Sequence, residues 1–127
     1  MSKRELRSAD SAPPVGTYSQ GLVVGDFVYT SGMGPLDPKT GEIVGTDVAA
    51  QTRQTLANLA AILREHGLGL DDVVKSTVHL QDLHRDFAAY DEVYREHFTK
   101  PYPVRTTVGS ELMNILVEID FVAYKKS

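Results

Sequence analysis

The chain has 127 residues, of which 42% are hydrophobic and 24% charged, and its formal net charge is −4. This length fits one domain, and the balanced composition is typical of a globular protein, which excludes the disordered and fibrous classes. The sequence contains no cysteine, so disulfides, thiolate metal sites and a cysteine nucleophile are excluded, and a reducing cytosol fits this composition.

Charge and hydropathy argue against nucleic-acid and membrane partners. Proteins that bind phosphate backbones usually carry a basic stripe, and this sequence has only two short basic ends, Lys3–Arg7 and Lys125–Lys126. Met1–Asp10 lacks the apolar core of a secretory signal, and no apolar run approaches the ~20 residues of a membrane helix. We therefore expect a cytoplasmic protein.

The first third of the chain is predicted to contain an extended arm and a hairpin. The arm covers about residues 1–11. Gln20–Val24 and Phe27–Ser31 are β-prone runs separated by Gly25-Asp26. That dipeptide indicates a hairpin, because glycine takes the positive φ of a type II′ turn. Glu42–Val44 is a candidate third strand.

Two amphipathic helices are predicted. Asp47 stands at an N-cap position, and apolar residues recur at three- and four-residue steps from there to about His66, before Gly67. Asp86 is the predicted N-cap of the second helix. Its inward-facing stripe consists of Phe87, Tyr90, Tyr94 and Phe98.

Three more strands complete the pattern. Val73–Leu80 is rich in β-branched residues, Val104–Gly109 follows two prolines, and residues 115–124 alternate with period two. The order β-β-(β)-α-β-α-β-β predicts an α+β fold with two helices on one face of a mixed sheet. The last two strands are expected to pair as a hairpin. Because the second face of the final strand is also partly apolar, a partner subunit is expected to cover it.

No motif in the sequence predicts a metal or nucleotide site. No histidine has metal-ligand spacing, so each is interpreted as a surface or packing residue. They are His66, His79, His84 and His97. The isolated G-x-G fragments lack a Walker lysine, and no serine stands in a G-x-S-x-G elbow.

The remaining candidates for chemistry are Arg105 and Glu118, which lie within the last two predicted strands. If these strands form a hairpin, both side chains reach the same region. An arginine in a partly buried cleft can bind a carboxylate through two parallel hydrogen bonds. The alternative is a structural cross-strand ion pair of Arg105 with Glu118 or Asp120. The pattern alone favours this alternative, because such pairs are common in sheets.

Several collinear motifs resemble the RidA/YjgF family. They are Gly16–Gln20, Thr30–Gly32, Asp37–Glu42, Gln51–Leu59, Asp72–Lys75, Pro103–Arg105 and Val117–Ile119. The likeness runs from about Ala12 to Tyr124, and its strength lies in the shared order and spacing. The resemblance implies one RidA-like domain over residues 1–127, with a chorismate-mutase-like fold. It also implies a homotrimer whose sheets form a central barrel and whose ligand sites are clefts between subunits.

The resemblance further implies an activity, the hydrolysis of reactive 2-enamine and 2-imine acids to a 2-keto acid and ammonia. Substrates of this kind are 2-aminoacrylate and 2-aminocrotonate, and no metal or organic cofactor is used. Arg105 would bind the substrate carboxylate and Glu118 would position the attacking water. The residues expected to bind substrate beside them are Tyr18, Ser31, Gly32, Asp91 and Thr107. Such imines hydrolyse readily in water, so orientation, a placed water and assisted proton transfer are sufficient.

The sequence departs from the family pattern near this site. Met33, Asp91 and Thr107 stand where glutamine, asparagine and cysteine are common, and the segment from Arg105 to Glu118 is slightly shorter than in typical members. A non-catalytic trimer that binds a small 2-keto acid therefore remains an alternative. RNA cleavage is a second alternative, which the acidic charge and the lack of aromatic stacking platforms disfavour.

Overall fold

A mixed six-stranded sheet and two helices make up the fold. The computed structural model describes residues 2–125, so Lys126 of the C-terminal basic end lies outside the described residues. The strands are β1 (Arg4–Leu6), β2 (Gly21–Val24), β3 (Phe27–Thr30), β4 (Val73–Leu80), β5 (Val104–Gly109) and β6 (Val117–Tyr124). The helices are α1 (Val48–Arg64) and α2 (Leu83–His97), and a short 3-10 turn covers Leu70–Asp72.

The strand order is β1-β2-β3-β6-β4-β5, with β4 and β5 parallel and every other pair antiparallel. This arrangement confirms the predicted mixed sheet. Two local expectations change: β1 was not predicted as a strand, and Glu42–Val44 does not form one. Ile43 makes only an isolated bridge to Leu36. The Asp37 carboxylate accepts hydrogen bonds from the amides of Lys39 and Thr40, which folds this segment into a tight turn.

The two predicted hairpins have different outcomes. The first is confirmed, because Val24 pairs with Phe27 across a turn in which Gly25 has a φ of 59°. The second is wrong, because β6 pairs with β3 and β4 while β5 pairs in parallel with β4. The physical reason is the α2 crossover: a helix between two neighbouring strands returns the chain in the same direction. The following loop then carries β6 to the other side of β4.

Both helices pack on one face of the sheet, as predicted. The alternation in β6 is complete, since Val117, Ile119, Phe121 and Ala123 are buried against the helices. Glu118 and Asp120 point to the opposite face, which we call the open face. It carries exposed aromatic residues, among them Phe27 and Tyr124, whose ring centroids are 5.3 Å apart. Among the described residues, no helix is long and apolar enough to cross a membrane.

The helix caps follow the predicted chemistry with one change of position. Asp47 accepts a hydrogen bond from the Ala50 amide at 2.9 Å, as expected of the N-cap of α1. The N-cap of α2 is Asp82, which accepts from the Arg85 amide at 3.1 Å, so the assignment of Asp86 is wrong. Asp86 lies in the first turn and is buried, with its carboxylate bound by the Arg85 guanidinium.

Candidate functional site

Arg105 and Thr107 face α2 from strand β5. Arg105 is in register with Ser76, and Thr107 is in register with Val78, and both of these β4 residues are completely buried under the helices. Because side chains of paired strands point to the same face at each register position, Arg105 and Thr107 lie on the helix side of the sheet. β5 is one of the two edge strands of the sheet, which leaves this position accessible from one side.

The Arg105 guanidinium is held by an acid and by aromatic rings. Its Nη1 donates a hydrogen bond to Asp91 Oδ1 at 2.7 Å, and its Cζ lies 4.7 Å from the Tyr94 ring centroid and 5.3 Å from that of Tyr90. Burial lowers the pKa of Arg105, but the Asp91 bond and the neighbouring tyrosines outweigh it, so the pKa is raised. The side chain is therefore a fixed cation with further N–H groups able to bind an anion.

Asp91 is the ion-pair partner of Arg105, and this corrects the alternatives from the sequence, which were Glu118 and Asp120. Its second oxygen accepts a hydrogen bond from Arg95 at 3.0 Å, one helical turn further along α2. These three charged groups lie at a cavity of about 410 Å³. The residues that line it are Asp91, Tyr94, Arg95, Tyr102, Pro103 and Arg105. Two cations, one anion and aromatic walls suit a small carboxylate-bearing ligand.

The Thr107 hydroxyl is already engaged. Its Oγ1 lies 2.8 Å from the hydroxyl oxygen of Tyr90, a residue with no exposed surface. Burial raises the pKa of Tyr90 to about 12, despite the hydrogen bond to Thr107, which acts in the opposite direction. A hydroxyl oxygen with one hydrogen bond keeps acceptor capacity, so Thr107 can contact a ligand through its hydroxyl oxygen or through its backbone.

Glu118 lies on the open face, away from this cavity. Directly opposite it in the β4–β6 register is His79, whose Nδ1 is 2.7 Å from the Ser110 hydroxyl. Gly32 lies against the Glu118 carboxyl group, so closely that a Cβ on Gly32 would be 3.0 Å from Glu118 Cδ. Reciprocal backbone hydrogen bonds between Met33 and Ile119 hold the two segments together, at 2.8 and 3.0 Å.

Tyr18 and Ser31 border the same region of the molecule. The Ser31 hydroxyl donates to the Ser19 carbonyl at 2.6 Å, and the Tyr18 hydroxyl accepts from the Val15 amide at 3.1 Å. Both side chains line a shallow surface hollow of about 380 Å³. Since Gly32 directly follows Ser31, this hollow is next to the glycine that contacts Glu118.

The sequence-predicted residues thus divide into two groups. One group, which we call the Arg105 cluster, contains Arg105, Asp91 and Thr107; the other, the Glu118 cluster, contains Glu118, Gly32, Ser31 and Tyr18. The two anchors lie on opposite faces, with β4 between their strands. The expectation that both side chains reach one region through a hairpin is therefore wrong within a single chain.

Sequence reasoning missed Arg95 and His79. The spacing of Arg95, four residues after Asp91, is a recognisable signal of a helical ion pair. The place of His79 on the open face follows from the period of β4, but its pairing with Glu118 depends on strand order. Within residues 2–125, no three metal-ligating side chains converge in a way that could hold a metal ion.

Comparisons with known proteins agree on one family. The model described as Endoribonuclease L-PSP matches residues 9–125. The chain is 39% identical over 125 residues to the 2-iminobutanoate/2-iminopropanoate deaminase of Escherichia coli K12, covering 94% of this chain and 96% of that protein. It is 42% identical over 128 residues to a RutC family protein of Pyrococcus abyssi, and the match covers 99% of this chain and 100% of that protein.

Solved structures give the same result. RidA from the Antarctic bacterium Psychrobacter sp. superimposes with a TM-score of 0.90 at 37% identity, covering 95% of this chain and 98% of that one. The structure of Escherichia coli TdcF with bound serine superimposes with a TM-score of 0.89 at 36% identity. The match covers 97% of this chain and 99% of that one.

Proposed function

Because the chain belongs to the RidA/YjgF family, whose model is described as Endoribonuclease L-PSP, we propose that it is a hydrolytic deaminase of reactive 2-imino acids. Its substrates are the imine and enamine forms of the 2-aminoacrylate and 2-aminocrotonate type, and its products are a 2-keto acid and ammonia. The observation that carries the proposal is the Arg105 guanidinium, held by aromatic rings and Asp91 at the wall of a small cavity.

We also propose that the active protein is a homotrimer in which neighbouring chains complete the site. Within one chain the Arg105 cluster and the Glu118 cluster lie on opposite faces. Contact between the β5 edge of one chain and the open face of the next would bring the two clusters to one cleft. The exposed Val104 and Val108 on β5 and the exposed Phe27 and Tyr29 on the open face support such a contact.

In this cleft Arg105 binds the substrate carboxylate and fixes the position of the imine carbon. A water held by the Glu118 carboxylate attacks that carbon, and Glu118 accepts a proton from it. The new C–O bond forms as the C=N bond becomes single, and Glu118 passes the proton to the nitrogen, which gives a neutral carbinolamine. Glu118 then takes the proton of the new hydroxyl group and delivers it to the nitrogen, so that the C–N bond breaks, ammonia leaves and the hydroxyl oxygen becomes the ketone oxygen. A positioned general base contributes roughly 10²- to 10⁴-fold to a rate, which suffices for a substrate that already hydrolyses in water.

The other residues shape the cleft. Gly32 leaves room for the Glu118 carboxyl group. The Ser31 oxygen can still accept a hydrogen bond, since its hydrogen is directed to the Ser19 carbonyl. Tyr18 adds an aromatic wall next to Ser31. Thr107 contributes through its backbone, and no metal or organic cofactor takes part.

A coupled assay tests the proposal. Threonine dehydratase and threonine generate the imine, and formation of 2-ketobutyrate is followed with and without the purified protein. We expect acceleration by the wild type and its loss in Arg105→Ala. Arg53→Ala is the matched control, because Arg53 is an exposed arginine that also pairs with a carboxylate, that of Glu96. Absence of acceleration by the wild type, or full activity in Arg105→Ala, would contradict the proposal.

The alternative is a non-catalytic trimer that binds a small 2-keto acid. The observation that favours it is the division between clusters, because the Arg105 cavity can hold a carboxylate without any contribution from Glu118. Calorimetric binding of pyruvate or 2-ketobutyrate, together with a negative deaminase assay, would support this alternative.

A further inference from the structure

Asp91 neutralises one of the two arginines at the Arg105 cavity. Each of its carboxylate oxygens accepts one hydrogen bond, Oδ1 from Arg105 at 2.7 Å and Oδ2 from Arg95 at 3.0 Å. The three side chains together carry a net charge of +1. With Asp91 ionised, the cavity can therefore balance the charge of one ligand carboxylate and no more.

The geometry also limits where that carboxylate can bind. Arg105 uses Nη1 for Asp91, and aromatic rings cover its face, so the rest of its N–H edge is left for a ligand. Asp91 is only 23% exposed, so its charge is partly shielded from solvent. A carboxylate bound to Arg105 has this fixed negative charge as a neighbour and brings the net charge of the three side chains and the ligand to zero. A second ligand carboxylate would make that net charge negative and would be repelled by Asp91.

We propose that Asp91 is a charge-selectivity residue that restricts the cavity to ligands with one carboxylate and discriminates against dicarboxylates. This inference rests on the proposed function, because it takes the Arg105 cavity as the ligand site. It adds the class of substrate: 2-imino and 2-keto acids with an uncharged side chain are accepted, and those derived from acidic amino acids are rejected. An asparagine at this position would remove the negative charge and leave the shape nearly unchanged.

A matched pair of ligands isolates the charge. 2-Oxopentanoate and 2-oxoglutarate have the same five-carbon chain length and the same 2-keto acid group, and they differ in a terminal methyl or carboxylate. Their dissociation constants are measured by calorimetry at constant ionic strength. The readout is the ratio of the two constants. Wild-type protein is expected to bind 2-oxopentanoate more tightly than 2-oxoglutarate.

Two variants change the cavity charge in opposite directions. Asp91→Asn raises it, and we expect the affinity ratio to shift about tenfold towards the dicarboxylate. Arg95→Gln lowers it, and we expect stronger rejection of the dicarboxylate. Glu96→Gln is the control, because it removes one negative charge from an exposed position on the same helix, in a residue paired with Arg53. It should leave the ratio at the wild-type value.

The outcomes separate this inference from the proposed function. If both keto acids bind to the wild type and the ratio is the same in Asp91→Asn, the selectivity role is overturned while the carboxylate site stands. If neither keto acid binds to the wild type and thermal unfolding shows a folded protein, the Arg105 cavity is not the ligand site and both proposals are overturned. An equal shift of the affinity ratio in Asp91→Asn and Glu96→Gln would show that only the net charge of the protein matters. That result would also overturn the inference.

Discussion

Gly32 lies directly against the carboxyl group of Glu118. A Cβ placed on Gly32 would be 3.0 Å from Glu118 Cδ and would overlap one of the carboxyl oxygens. The backbone of Gly32 is not in the left-handed region, so what this position needs is space. The glycine therefore defines where the Glu118 carboxyl group can lie.

Gly32→Ala is expected to displace the Glu118 carboxyl group and to lower kcat of the deaminase by about 10- to 100-fold. The melting temperature should change little, because the crowded atoms are the end of a flexible side chain. Steady-state kinetics in the coupled assay measure the effect. Gly69→Ala is the control, since a Cβ at that position would meet no atom within 4 Å apart from those of Gly69 and its two chain neighbours. An unchanged kcat in Gly32→Ala would remove Glu118 from the proposed mechanism.

The hydrogen bond between Tyr90 and Thr107 should contribute to stability more than to catalysis. Thr107→Val leaves the buried Tyr90 hydroxyl without a partner, which is expected to cost about 1–2 kcal/mol in the free energy of unfolding. The double variant Thr107→Val/Tyr90→Phe removes both polar groups and should be more stable than Thr107→Val alone. Urea denaturation measures both values. A large rise in KM in Thr107→Val would show that its hydroxyl, rather than its backbone, contacts the substrate.

Asn58 is expected to hold the loop that follows Gly32. It is completely buried, and its Nδ2 donates to the carbonyls of Gly34 and Leu36, each at 2.9 Å. Asn58→Ala leaves these carbonyls without that donor and should lower the free energy of unfolding by about 2–3 kcal/mol. Gln54→Ala, which removes a donor to Asn58 itself, should cost less. Equal losses in the two variants would contradict this role of Asn58.

His66 should make stability depend on pH. Burial, followed by the positive charges of Lys125 and Arg4, lowers its pKa. The unfolded chain therefore binds the proton more readily than the folded one. The contribution of His66 to stability is therefore most favourable at pH values above about 6.5, the ordinary pKa of histidine. It becomes less favourable as the pH decreases, until the pH is below the lowered pKa of His66 in the folded state.

His66→Gln is expected to flatten the dependence of unfolding free energy on pH between about pH 7 and pH 5. Denaturation at one protein concentration over this range provides the measurement. His84→Gln, at an exposed histidine on α2, is the matched control and should keep the wild-type slope. If the unfolding free energy of His66→Gln depends on pH as strongly as that of the wild type, His66 is not the source of the pH dependence.

Much of the local structure could be predicted from the sequence because short-range chemistry determines it. Gly25 forms the hairpin turn through its positive φ, Asp47 caps α1 through its carboxylate, and the alternation after Val117 follows the pleat of one strand. The cap of α2 was misplaced because aspartates at 82 and 86 are both chemically suitable. Which one precedes the helix depends on where the chain leaves β4.

The two main candidate residues, Arg105 and Glu118, were proposed from the sequence alone, because the collinear motifs that contain them are local. The arrangement of these two residues was not predicted. Their separation, and the pairing of Arg105 with Asp91, depend on strand order and on which face each side chain points to. Strand order is set by the α2 crossover and by the pairing of β6 with β3 and β4, which places its apolar face under the helices. These are contacts between residues far apart in the chain. The sequence by itself therefore determined most of the helices and strands and the chemical groups that they carry, and only the tertiary structure decided which groups meet.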